Sequence, residues 1–396
     1  MKKSDSITFI SFALGLLIAS FSFSLAPLIS TWYRLPLFLV TLLVAWGAIW
    51  QTTGSLLSGR ISDKFGRRGS YRFDIISMLI GITVFIISRD VDLALLGLAF
   101  ILVGTGGEYS AISAATHEMF SSRFRGTAML LELDFVNIGG TLSALTLILL
   151  VGASIVFQRL IISVFILAVI AFIVVSRLRV SESGLWVMAR ESKSELSGPT
   201  IRYRLFTAIA IGISEALGFN LIVYGLGPYY FPGLTLWIIF IGNLTEAVVG
   251  LTGFFLDRFS RKLFLMLGTG GSLFIFVVMF LTSNVWISDP ELFWVPFIIY
   301  NGFIAVIFMT TYTFNGELWP TKKRGSYTSI VNSTVWASLI PAELILPYFS
   351  RSIYMIVIAA GWVIGFSSAL VWNKRGIETA GRKGALEASG EKFKSS

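Results

Sequence analysis

Seven carboxylates fall inside long apolar stretches of this 396-residue chain: Asp74, Glu108, Glu132, Asp134, Glu215, Glu246 and Glu343. An ionised carboxylate at the centre of a membrane helix costs at least ~2.5–3.5 kcal/mol. Such groups are paired, protonated or turned toward water, and burial disfavours their charged form, which suits them to carry protons. Glu108 is the first candidate for that role, beside Tyr109 and after the glycine pair Gly106-Gly107. Glu215, Glu132 and Asp134 follow. Glu132 and Asp134 are two residues apart, so they point to different faces of one helix. Arg159 and His117 stand as the basic partners available inside the apolar stretches, both near their ends. Several of the seven carboxylates are therefore expected near an interface, in water or neutral.

Amide and phenol side chains share the same stretches. Tyr109, Asn137, Asn220, Tyr224, Tyr312 and Asn315 are candidates to line a cavity. These groups both donate and accept hydrogen bonds, which suits hydroxylated small molecules. No mid-membrane cation is evident, which favours a neutral or weakly charged ligand over a polyanion. The absence of cysteine and the single histidine, His117, exclude disulfides and thiolate sites and make a histidine metal site improbable. No cofactor is expected.

The elements that must hold these residues follow from composition. Hydrophobic residues make up 55% of the chain and charged residues 13%, against ~25% charged in soluble domains. Together with a mean hydropathy of +0.80, this excludes a soluble enzyme, a fibre and a disordered protein. A membrane helix needs ~20 apolar residues. Twelve such spans are read, beginning near residues 7, 36, 72, 92, 126, 156, 203, 233, 263, 291, 325 and 350. The organisation read from them is a six-helix bundle over 1–178, a cytoplasmic linker over 179–202, a second six-helix bundle over 203–373 and a disordered tail over 374–396. The first span is too long for a signal-peptide core and reads as an anchor.

A net charge of +9 suggests nucleic acid in a soluble chain, but here it is a topology signal. Alternating the loops across the membrane puts 27 of the 31 basic residues on one side, with Arg34, Arg89, Arg159 and Arg351 on the other. The positive-inside rule then places both termini in the cytoplasm of a multi-pass protein of the cell membrane.

The two halves repeat. Gly59-Arg60-Ile61-Ser62-Asp63-Lys64-Phe65-Gly66-Arg67-Arg68 and Gly253-Phe254-Phe255-Leu256-Asp257-Arg258-Phe259-Ser260-Arg261-Lys262 share G-x-x-x-D-[KR]-F-x-R-[KR]. Glu118 leads at +7 to Arg125, and Glu317 leads at +7 to Arg324. The first motif pair is offset by 194 residues and the second by 199. Such duplication marks transporters with a midplane site between repeats. Glycine permits close helix approach, Asp63 can face a positive helix N-terminus, Arg67, Arg68 and Arg125 can pair with Glu118 and Asp63, and Asp257, Arg261, Arg324 and Glu317 offer the same arrangement in the second half.

The 59–68 segment resembles the signature loop of the major facilitator superfamily, and the chain is similar to its sugar-porter-like branch of sugar, organic-acid and phosphate proton symporters. Glu317-Leu318-Trp319-Pro320-Thr321-Lys322-Lys323-Arg324-Gly325 resembles that branch's E-x-F-P-T-x-x-R-G. Gly106-Gly107-Glu108-Tyr109 resembles a fourth-helix motif, and Gly218-Phe219-Asn220 with Tyr224 a seventh-helix region. The resemblance implies an all-α integral membrane fold, twelve transmembrane helices in two pseudo-symmetric six-helix bundles. It implies that Gly59, Asp63, Arg67, Arg68, Glu118, Arg125, Asp257, Arg261, Glu317 and Arg324 gate the cytoplasmic face, and that Asn137 and Asn220 match substrate-contacting positions. Several branch features are missing: the first span has no acidic residue, Leu98 replaces an arginine, and Asn220 stands where phosphate symporters carry aspartate.

The expected function is secondary active transport of a small polar metabolite, a sugar or organic acid, by alternating access with proton symport. The chain is expected to be monomeric, in contact with substrate, protons and lipid and not with nucleic acid. No phosphate-binding loop is present, so no ATP-driven step and no enzyme activity is read. An exporter of hydrophobic compounds and a non-transporting nutrient sensor are the alternatives.

Overall fold

The structure is a computed structural model that describes residues 3–88, 90–120, 125–178, 180, 183–184, 187, 199–253 and 259–380. Asp257, most of the 179–202 linker and the tail beyond 380 lie outside the described residues.

Twelve helices are long and apolar enough to cross a membrane. They are α1 (Lys3–Ile29), α2 (Leu37–Phe65), α3 (Arg67–Ile87), α4 (Val91–Met119), α5 (Arg125–Leu149), α6 (Ile155–Arg177), α7 (Ile201–Tyr230), α8 (Thr235–Gly250), α9 (Arg261–Leu281), α10 (Trp294–Glu317), α11 (Arg324–Ile345) and α12 (Arg351–Arg375). A helix satisfies its own backbone, which a bilayer interior requires. The ends follow capping chemistry: Asp90, Ser154, Thr200, Ser260 and Ser350 accept hydrogen bonds from the first turns of α4, α6, α7, α9 and α12. No strand occurs among the described residues.

Two six-helix bundles, α1–α6 and α7–α12, face one another. Between them α2 packs on α11 and α5 on α8, pairs that the repeat makes equivalent. The apolar window of α1 is 94% buried and that of α7 78%, against 33% for both α6 and α9. The enclosed helices can therefore carry polar groups, while the outer ones present side chains such as Leu160, Val164, Phe172, Leu267 and Phe274 to lipid.

Helix bounds differ from the sequence reading at three functionally important places. The 59–68 motif is not a loop: α2 runs on to Phe65, α3 starts at Arg67, and Gly66 alone makes the turn with φ 87°, a conformation that favours glycine. Residues Asn220–Gly225 form a π-helical turn inside α7, an irregularity common at functional sites. Arg177 is the last residue of α6, facing inward, and not part of a loop.

Candidate functional site

On the face that carries the chain termini, Arg67 joins the two halves. Its Nε donates to Glu118 Oε2 at 3.0 Å and its Nη1 to Ser62 Oγ at 2.7 Å and Asp63 Oδ1 at 3.1 Å. Arg324, from the other half, also donates to Glu118, at 3.4 Å. Asp63 Oδ2 accepts from the Ser326 backbone N–H at 2.8 Å, so a carboxylate of α2 caps the positive N-terminus of α11. The helices touch here because Gly59 lacks a side chain: a Cβ would overlap Ser329.

The second half carries its own described pairs. Arg261 donates to Glu317 at 3.3 and 3.4 Å within one half. Thr379, just past α12, also bonds Glu317, at 2.6 Å. Gly253 abuts Leu130 of α5, as Gly59 abuts Ser329. Arg125 lies within electrostatic reach of Glu317, and Arg68 Nε donates to the Val180 carbonyl at 3.1 Å. Asp257 cannot be placed. His117 sits in the last turn of α4, bonded to the Ser113 carbonyl and packed against Gly316 of the other half.

All seven carboxylates are buried, none more than 4% exposed, so water exposure does not account for any of them. Their partners divide them. Glu108 forms a two-pronged ion pair with Arg177, with Nη1 to Oε1 at 2.6 Å. The expectation that Arg159 and His117 were the available cations fails here, because Arg177, counted with the following loop, is the last residue of α6 and is buried. Arg177 also lies over the Tyr71 ring at 4.7 Å, with Asp74 close by. Asp74 Oδ2 accepts from Ser58 at 3.3 Å, and Glu132 accepts from Thr116 at 2.6 Å. As expected, Asp134 leaves the helix on another face, against Gly250 of α8. Glu343 lies near the other end of α11, close to Tyr229 and Tyr354.

Asp134, Glu215 and Glu246 meet at the junction of the halves, and no described ion pair reaches them. Asp134–Gly250 and Gly140–Asn243 contacts set the antiparallel register of α5 and α8, which brings Asn137 level with Glu246. Glu246 is within electrostatic reach of both Asp134 and Glu215. Asp134 Oδ1, Glu246 Oε1 and Asn137 Nδ2 have no hydrogen-bond partner.

Aromatic rings from both halves lie within electrostatic reach of Glu215 and Glu246. Tyr109 of α4 lies 5.5 Å from Tyr312 and 6.0 Å from Trp336. Phe23 of α1 lies 5.3 Å from both Tyr224 and Trp336. The Tyr224 and Ser24 hydroxyls are 2.7 Å apart across the halves, and Tyr224 donates to Asn243 at 3.3 Å. A cavity of about 10 Å³ is lined by Glu215, Thr311, Tyr312, Asn315 and Asn332, among others. Of the six sequence-selected lining residues, Tyr109, Tyr224 and Tyr312 join the ring cluster, and Asn315 lines the cavity. Asn220 bonds its own helix at the Ala216 carbonyl.

Phe23, Trp336, Gln51, Asn243 and Asn332 were not selected. Gln51 is fully buried, with neither amide atom partnered, and shares a face of α2 with Gly47, which abuts Phe23. Its only sequence signal is an amide in mid-span. Phe23 and Trp336 carry no signal among the 34 phenylalanines and 11 tryptophans.

The Major Facilitator Superfamily profile matches residues 7–342. No curated protein matches the chain. Among solved structures, it is similar to the proton:xylose symporter XylE bound to 6-bromo-6-deoxy-D-glucose, at 15% identity and a TM-score of 0.78, covering 96% of this chain and 98% of that one. The inward-open conformation of XylE from E. coli gives 16% identity and 0.67, covering 97% and 99%. The human organic anion transporter MFSD10 (TETRAN) gives 14% and 0.72, covering 93% and 100%. At these identities the likeness is one of fold.

Proposed function

The chain belongs to the Major Facilitator Superfamily, and from that premise we propose that it is a proton-coupled secondary transporter that moves a small polar metabolite by alternating access. One observation carries the reading: a ring-lined group of uncompensated carboxylates is built jointly by both halves, beneath a set of ion pairs that ties the halves together on one face. Rocking the halves would break Arg67–Glu118–Arg324 and Asp63–Ser326 and open the centre to that face.

The proton is assigned to Asp134 and Glu246, which lie on opposite halves within electrostatic reach of one another. Two like charges so placed favour sharing one proton. Glu108, paired with Arg177, is assigned to structure. One proton moving through ~100 mV supplies ~2.3 kcal/mol, enough for roughly fifty-fold accumulation of a neutral solute. The 27 basic residues on the terminal face assign that face, and both termini, to the cytoplasm of a cell-membrane protein.

The test is uptake and counterflow in proteoliposomes, with solutes first chosen by thermal shift. Wild type is expected to show gradient-driven uptake. Asp134→Asn and Glu246→Gln are expected to lose driven uptake and keep counterflow. Absence of counterflow for every solute that shifts the melting point would show a binder that does not transport, as in a sensor. Driven uptake unchanged in both variants would remove the proton assignment alone.

A further inference from the structure

We infer that the substrate is an organic cation, a protonated or quaternary amine, seated between the Glu215 carboxylate and the rings of Tyr109, Tyr312 and Trp336. The inference rests on the transporter reading above and names its substrate class.

Charge is the first argument. Glu215 is 4% exposed and lines a small cavity among α7, α10 and α11. Tyr109 and Tyr312 lie within its electrostatic reach. No arginine or lysine bonds it among the described ion pairs. The buried arginines of known pairing, Arg67, Arg177, Arg261 and Arg324, are matched to Glu108, Glu118 and Glu317. Ionised, Glu215 is a buried negative charge for which no described side chain is a counterion. A buried charge needs a partner, and the substrate supplies one.

Ring geometry is the second argument. Tyr109 lies 5.5 Å from Tyr312 and 6.0 Å from Trp336 between ring centroids, and Phe23 and Tyr224 extend the group. Ring faces attract ammonium groups, most strongly where water is excluded. A carboxylate substrate would meet acidic side chains and no described cation.

An unpartnered donor is the third. Trp319 Nε1 donates to Asn315 Oδ1 at 2.9 Å, and Asn315 Nδ2 donates to Asn332 Oδ1 at 3.1 Å. This fixes the Asn332 amide with its Nδ2 unpartnered in the cavity wall, in a residue 4% exposed. Trp336 Nε1 is likewise unpartnered. The Asn332 N–H donor beside an ammonium site suits the hydroxyl or carbonyl that small amines carry. The cavity must widen to admit such a molecule, as rocking of the halves would make it do.

The experiment uses the full chain in proteoliposomes and in detergent. The cation probes are tetramethylammonium, choline and tetraethylammonium; 3,3-dimethylbutan-1-ol is the uncharged isostere of choline; xylose and lactate represent neutral and anionic solutes. At least one cation is expected to bind and support counterflow, with choline binding roughly ten-fold tighter than its isostere. Glu215→Gln is expected to weaken cation binding roughly ten-fold, Glu215→Asp to retain most of it, and Trp336→Phe to bind better than Trp336→Leu. Counterflow of xylose or lactate with none of the cations overturns the substrate class and leaves the transporter reading intact. Counterflow of no solute overturns both. Cation binding that is equal in wild type and a folded Glu215→Gln overturns the assigned site.

Discussion

Asp63 of α2 caps α11 of the opposite bundle through Ser326, its Oδ2 2.8 Å from a backbone N–H that lies 263 residues further along the chain. A carboxylate at a helix N-terminus contributes ~0.3–1 kcal/mol at the surface and up to ~2 kcal/mol where partly buried. This contact therefore weights the balance between conformers without being essential to either fold.

Asp63→Asn should shift that balance toward a terminal face that is open. The chain has no cysteine, so Ser333→Cys, buried on α11, gives a single reporter. Maleimide labelling at this position should speed up several-fold in the Asp63→Asn background. An unchanged rate would remove Asp63 from the gate.

Gly59 should tolerate no side chain while the halves are closed on this face. Gly59→Ala forces α2 from α11 at Ser329, and counterflow should fall even though each bundle keeps its own packing. Ser329→Gly removes the opposing side chain and should restore part of the lost rate. A double-mutant cycle with no coupling between the two sites would contradict the contact.

Breaking the Glu108–Arg177 pair should cost more than removing it. Arg177→Leu leaves a fully buried carboxylate without a counterion, a change of ~3–5 kcal/mol, and thermal unfolding in detergent should show a large loss. Glu108→Gln combined with Arg177→Leu should recover most of the stability. The same double variant should retain counterflow if Glu108 is structural; loss of driven uptake alone would return Glu108 to proton coupling.

Glu378 links the end of α12 to the start of α9 and should give a pH-dependent stability. Burial pushes its carboxyl upward, but bonds from Ser260 and from the Ala380, Arg261 and Thr379 backbone N–H groups outweigh this and hold it below the ordinary value of 4.5. A lowered pKa in the folded state means the stabilisation is complete above about pH 4.5 and is lost as pH falls through the lower, folded-state value. Glu378→Gln should therefore melt a degree or more below wild type at pH 7, and the gap should close on acidification below pH ~4. A gap that persists at the acid end would mean that the contribution is not electrostatic.

The amino-acid sequence determined the membrane class, the twelve spans, the two repeated halves and the residue types of the gate. These are properties of length, hydropathy and spacing, which a bilayer enforces locally on each helix. It also placed Tyr109, Tyr224, Tyr312 and Glu215 among residues worth attention, because polar groups stand out in apolar spans. Tertiary structure decided the partnerships. Glu118 and Arg324 share one bond network across 206 residues, and no spacing rule contains that contact. Glu108 and Glu215 look alike as lone carboxylates in apolar helices, yet one meets Arg177 and the other a ring of aromatics. Only the Arg177–Glu108 pair between α6 and α4, and the packing of α7 against α10 and α11, separates a carboxylate with a cationic partner from one without a described one.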